Sequence, residues 1–249
     1  MNPESKPSNR QRPPDFVIQA IPRDMAEDPG TGWNRRIFFL GPTTFLDELC
    51  IHAGVLSGHM TPHPPHCHEH EEVHIALSDN LEFITGDEGS DIVKATPVDN
   101  CSLYFTNSKI PHSFRNAAPG PSAYLHLRWR GTPKATRAEG SLLKFYYSPA
   151  SLDPLTDKGP EVHEIFSGPS VYLSRLKAML VRLPAGGSVP FHRHPHEVIF
   201  ALISGSVEIL GKKIDAPGFA FMGTRMPHHI INKGPGPAQF YTFELHQED

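Results

Sequence analysis

Apolar residues along this chain come in short runs broken by Gly, Pro, Asn and Asp. The runs GVLSGHM, VHIAL, LEFIT, SLYFT and AYLHLRW punctuate the first half, and KAMLVRL, VIFALI, SVEIL, FAFM and QFYTFEL punctuate the second. Some alternate and some are continuously apolar. Runs of this length between turn residues predict β-strands rather than helices. An all-β sandwich or barrel is the expected fold class.

The pattern repeats. IFFLGPTTFLDELCIHAGVL (37–56) is echoed by IFSGPSVYLSRLKAMLVRL (165–183). Each carries Gly-Pro, an aromatic-Leu pair and a strand-like run. A His-x-His element follows in both, His66-Cys67-His68 and His192-Arg193-His194. Later come Pro111-His112 with Asn116, and Pro227-His228 with Asn232. Four features in one order indicate duplication of a domain. The expected units are a disordered tail at 1–14, a first domain at 15–140 and a second at 141–249.

Composition narrows the function. Hydrophobic residues make up 38%, Gly and Pro number 20 and 26, and the formal net charge is −4. No Lys/Arg block is suited to tracking a phosphate backbone, so nucleic acid is not an expected partner. No apolar run approaches the ~18 residues of a membrane span. The segment MNPESKPSNRQRPPD lacks the apolar core of a secretory signal, so a cytoplasmic protein is expected. Cys50, Cys67 and Cys101 have no framework spacing and read as reduced thiols. On a strand, Cys67 would face away from its two histidine neighbours.

Sixteen histidines, clustered at 52–74 and 192–229, are the chemical signal. His66, His68 and Glu72 share parity, so a continuous strand would turn all three to one side, along with His70 and His74. An antiparallel neighbour could bring His112 opposite. Three imidazoles and a carboxylate suit a divalent transition metal (Mn, Fe, Co, Ni, Cu or Zn) and not an all-oxygen calcium site. His74 is a candidate acid/base or supporting group beside Glu72, or a packed core histidine. His63 and His70 read as loop residues. Arg115 and Arg128 could hold an anion, and Phe105, Phe114, Tyr124 and Trp129 are expected to fill the first barrel.

PPHCHEHEEVHIAL and KIPHSFRN resemble the two motifs of the cupin family. The resemblance covers most of both halves and implies a bicupin, two tandem double-stranded β-helix (jelly-roll) barrels. It implies metal ligands His66, His68, Glu72 and His112. Asp79 stands where the family has Gly, and Ser108-Lys109-Ile110 replaces the usual lead into His112. In the second half His192, His194 and His228 match, but Val198 occupies the Glu position. Glu197 lies one residue early and is expected to face outward. The second set therefore lacks its carboxylate. It is either a three-histidine site or part of a barrel that only aids folding or homodimer formation.

The expected function is a metal-dependent enzyme on a small organic molecule, with Glu72 and His74 as catalytic candidates. By resemblance, dioxygenation leads. Isomerase or lyase chemistry on a small keto or hydroxy acid is the alternative, and a non-enzymatic small-molecule receptor is a third reading.

Overall fold

Strand β4 (Glu71–Ala76) is buried at every position. Its side chains point alternately to two faces. Val73 and Ile75 join one apolar cluster and Ala76 another, so Glu72 and His74 share the Ala76 side. A strand with no solvent face needs a packed layer on each side, and the architecture supplies both.

The computed structural model describes residues 14–133, 142–156 and 159–247. The expected tail at 1–14 lies outside the described residues except for Pro14, and so does the junction at 140/141. The first half contributes β1 (Phe16–Ala20), β2 (Trp33–Gly41), β3 (Glu48–Leu56), β4, β5 (Leu81–Gly86), β6 (Val93–Val98), β7 (Leu103–Thr106), β8 (His112–Asn116) and β9 (Ser122–Arg130). After it come β10 (Lys144–Tyr147), β11 (Glu161–Gly168), β12 (Arg175–Leu183), β13 (Ser188–His192), β14 (Glu197–Ser204) and β15 (Ser206–Ile209). The chain ends with β16 (Lys212–Asp215), β17 (Gly218–Met222), β18 (His228–Ile231) and β19 (Ala238–His246). No helix among the described residues is long and apolar enough to cross a membrane.

The strands form four sheets. Two have six strands, ordered β10-β7-β4-β9-β3-β2 and β1-β17-β14-β19-β12-β11. The others are β6-β5-β8 and β13-β18-β15-β16. In each half a large sheet faces a small one across an apolar core: Leu81, Phe83, Phe114 and Tyr124 in the first, Val198, Phe200, Ile214 and Phe240 in the second. The sheets of each half face one another and do not join into one closed ladder. The two large sheets pack back to back through Ile51, Phe105, Leu127, Trp129, Leu180, Ile199, Phe221 and Phe243. Of the four aromatics expected to fill a first barrel, Phe114 and Tyr124 lie in the core between the two sheets of the first half. Phe105 and Trp129 belong to this central layer, because their parity on β7 and β9 is opposite.

The lead strand of each half crosses over. β1 pairs with β17 of the second half, and β10 pairs with β7 of the first. Each covers an edge that would otherwise expose unpaired backbone groups. The turn expected to need Gly at 79 is solved one residue later: Asn80 takes φ 70°, while Gly205 takes φ 77° in the second half. Asn tolerates this left-handed region better than most side chains.

Candidate metal centre

Pro64 and Pro65 lack amide protons, so no ladder runs through them; after them only His66 pairs, and residues 67–70 join no strand. The expected continuous strand through 66–74 is therefore absent: β4 begins at Glu71. His66 instead makes an isolated antiparallel bridge with His112, through His66 N to His112 O at 3.2 Å and the reverse bond at 3.1 Å. The bridge delivers the expected opposition of His66 and His112 without a strand. Cys67 is exposed, and its thiol contacts the Lys109 carbonyl.

Glu72 is the hub. His68 Nε2 lies 2.9 Å from its Oε1, His112 Nε2 2.8 Å from its Oε2, and His126 Nε2 3.2 Å from the same Oε2. One ligand atom each from His68, Glu72 and His112 lies within 4.8 Å of the others, and Glu72, His74 and His126 form a second such group. The His66 ring stands at the margin, 5.3 Å from His68 and 5.9 Å from His112. His63 and His70 lie outside strands; His63 packs 4.4 Å from His66, and His70 Nε2 meets Glu48 at 3.1 Å.

Four pattern histidines share one device. The Nδ1 of His66, His112, His192 and His228 faces the carbonyl two residues earlier, at 3.1, 2.7, 2.7 and 2.9 Å respectively. Nδ1–H donates there, which fixes the tautomer and leaves Nε2 with a lone pair. A neutral His112 then aims an acceptor at a carboxylate, which is also only an acceptor. Something positive must lie between them. Without metal it is a proton. Burial works against it, but the Glu72 hydrogen bond and charge raise the His112 pKa. A metal cation satisfies the same pair, so the donor set fits one.

Burial alone would raise the Glu72 carboxyl, but the nearby His126 and the close imidazoles of His112 and His68 hold it well below the usual range. His74 is buried, and its ring stacks on His126 at 4.0 Å. Burial first, then His126, holds its pKa well below that of free histidine, so the ring is neutral.

His126 and His52 escaped the sequence reading. In β3, β9 and β4 the register aligns His52, His126 and His74 in one row across the sheet. His126 Nδ1 lies 3.1 Å from His52 Nε2. Each of the three alternates with apolar neighbours on its own strand, but their alignment in one row depends on the register between strands. A cavity of about 150 Å³ opens on this row, lined also by Trp33, Arg35, Tyr124 and Arg128. Arg115 is elsewhere, paired with Glu82 on an exposed face.

In the second half, ligand atoms of His192, His194 and His228 lie within 4.8 Å of one another. His192 Nε2 meets His194 Nε2 at 2.9 Å, and the buried His228 Nε2 has no hydrogen-bond partner. Burial brings His228 down to about 4. Val198 faces this group, as expected, and its neighbours are apolar. Glu197 points away from the cavity, yet it is not at the surface. It is fully buried between the halves, where its carboxylate takes the Thr43 hydroxyl and the Thr44 amide, both at 2.6 Å.

No family model matches the chain, and no curated protein matches it by sequence. Solved structures do match. A protein from Pseudomonas aeruginosa described as glyoxylate induced aligns with TM-score 0.71 at 12% identity, over 98% of this chain and 95% of its own. AerE from Microcystis aeruginosa gives 0.64 at 13%, over 93% and 98%. An oxalate decarboxylase from Lactobacillus farciminis, in complex with formate, gives 0.64 at 14%, over 93% and 84%. At such identities the likeness is one of fold: the chain shares the all-β, cupin-like architecture of these proteins across nearly its whole described length.

Proposed function

We propose that this chain is a metal-dependent enzyme of the bicupin type, each half one jelly-roll unit, acting on a small carboxylic acid in the cavity of the first half. One observation carries the substrate class. Arg128 lies directly across from Glu72 in the β4–β9 register and lines the cavity; its Nη2 faces Glu48 at 3.6 Å, but its buried Nε has no hydrogen-bond partner. A buried guanidinium N–H without an acceptor is costly, and a substrate carboxylate would supply one. The cavity, about 150 Å³, suits a ligand of a few heavy atoms and is smaller than typical drug-sized pockets. Two fold neighbours are named for small acids, oxalate and glyoxylate. These points favour keto- or hydroxy-acid chemistry over dioxygenation of an aromatic.

The metal ligands would be His68, Glu72 and His112, with His66 beside them. A divalent first-row ion bound there would polarise a carboxylate or carbonyl oxygen. Arg128 and Arg35 would orient the acid. His126, 3.2 Å from Glu72 and 3.1 Å from His52, can hold or pass a proton at the cavity wall. His74, stacked on His126 and neutral, fixes that ring in place.

The test is a panel of small keto, hydroxy and dicarboxylic acids, with neutral phenols as comparison, on metal-loaded protein. Acids are expected to bind and turn over. Arg128→Gln should weaken acid binding by about tenfold or more while metal content stays unchanged. Oxygen uptake on phenols, with no response to any acid, would return the reading to a dioxygenase.

A further inference from the structure

The carboxylate missing at Val198 is present one strand away. In the β14–β19 register Val198 lies opposite Glu244, as Glu72 lies opposite Arg128 in the first half. The anionic residue has moved from the central strand to its neighbour, where the first half places a cation. Glu244 is nearly buried and lines the second cavity with His192, His194 and Val198. One ligand atom each from His194, His196 and Glu244 lies within 4.8 Å of the others.

We propose that the second half holds its own divalent metal on His194, His196 and Glu244, a site different in composition from the first. His196 supplies the independent observation. Both its ring nitrogens are buried without a hydrogen-bond partner, although Glu244 Oε2 lies 3.4 Å from Nε2. A neutral imidazole with neither nitrogen satisfied is a poor design unless a third party completes it. Glu244 is already held in place. His246 Nε2 lies 3.1 Å from its Oε2, and Arg175 contacts the far nitrogen of that ring at 3.0 Å. Such outer contacts orient metal-binding carboxylates.

Two imidazoles and one carboxylate with open positions is the donor set of non-haem iron(II) sites, and it also accepts cobalt(II) and zinc. Two of the three ligands, His194 and Glu244, also line a largely apolar cavity with Val181, Val198, Phe200, Ile230 and Phe240. The second centre therefore suits an apolar organic ligand, where the first suits an acid. His192 and His228 form a separate group with His194 and are not required.

The proposal shares with the preceding section the reading of histidine clusters as metal ligands, so the test removes the first centre. Full-length metal-free protein carrying His68→Ala, Glu72→Gln and His112→Ala is titrated with cobalt(II), followed by visible absorption and by metal counting after gel filtration. About one equivalent should remain. Adding Glu244→Gln, or separately His196→Asn, should weaken the residual site more than about tenfold, whereas adding His192→Ala with His228→Ala should leave it within about threefold. Either of the first two variants suffices if the other fails to fold. A background variant that binds no cobalt overturns this proposal and leaves the first centre standing. Loss of cobalt on removing His192 and His228, with Glu244→Gln and His196→Asn silent, replaces it with a three-histidine site.

Discussion

The Thr43 hydroxyl donates to Glu197 Oε2 at 2.6 Å across the junction of the two halves. Ser170 donates to Glu71 Oε2 at 2.8 Å in the mirror-image contact. Both hydroxyls follow the repeated Gly-Pro, and both acids open a central strand. Each half thus presents a turn to the buried carboxylate of the other. Thr43→Val and Ser170→Ala should each destabilise the protein by about 1–3 kcal/mol, the usual range for hydrogen bonds to a charged group. Urea unfolding measures this. Midpoints that do not move would show that the exchange is geometric only.

The same contact has a pH signature. Burial pushes the Glu197 carboxyl above its ordinary 4.5, while the bonds from Thr43 and Thr44 oppose the shift. The folded chain therefore holds this proton more tightly than the unfolded chain. Ionisation costs no stability below 4.5; the cost appears as pH rises from there through the raised folded value. Thermal scans of wild type and Glu197→Gln should show the wild-type advantage largest near the bottom of this window and smaller at neutrality. An advantage that grows with pH contradicts the direction of the shift.

At the first centre the ligands should not be equivalent. His68 belongs to the compact group with Glu72 and His112, whereas His66 stands at its margin. His68→Ala and Glu72→Gln are expected to lower metal affinity by more than about tenfold, and His66→Ala by less. Competition with a chelator ranks the variants. A His66→Ala loss as large as the others means that metal draws His66 inward.

Acid should empty the first centre. Imidazole must be neutral to bind, its reference pKa is about 6.5, and metal lowers the apparent value. Loss of metal in mild acid, followed by dialysis and metal counting, is the expected outcome. Retention at a pH of about 3 would require another ligand set.

Gly54 gives Tyr124 its place. The two are register partners, and a Cβ at residue 54 would collide with the tyrosine ring and hydroxyl. That hydroxyl accepts from Trp33 Nε1 at 2.8 Å at the cavity wall. Gly54→Ala should cost about 1–3 kcal/mol and shift the Trp33 emission. Unchanged stability and emission would show that the wall can absorb a methyl group.

How far the sequence could be read depends on what period two can carry. Parity placed Glu72 and His74 on one side and turned Glu197 away from the cavity, because both depend only on position within one strand. It failed at 66–70, where there is no strand and an isolated bridge at His66 does the positioning. His126 and Glu244 gained their meaning from alignment between strands, which depends on long-range pairing rather than local pattern. Nor could parity tell a solvent face from a second core. Glu71, Glu197, Phe105 and Trp129 face the layer between the halves, which exists only once both large sheets have formed.

The crossing of β1 and β10 separates ancestry from assembly. A cut near the middle of the chain would leave each repeat with the wrong lead strand: the first fragment would carry β1 without β17, and the second β10 without β7. Each fragment would expose one open edge strand, β7 or β17, and one apolar sheet face, a template for pairing with other copies. The interlock works like the clasped hands of two partners who no longer stand alone. The boundary of the sequence repeat and the boundary of the paired sheets do not coincide.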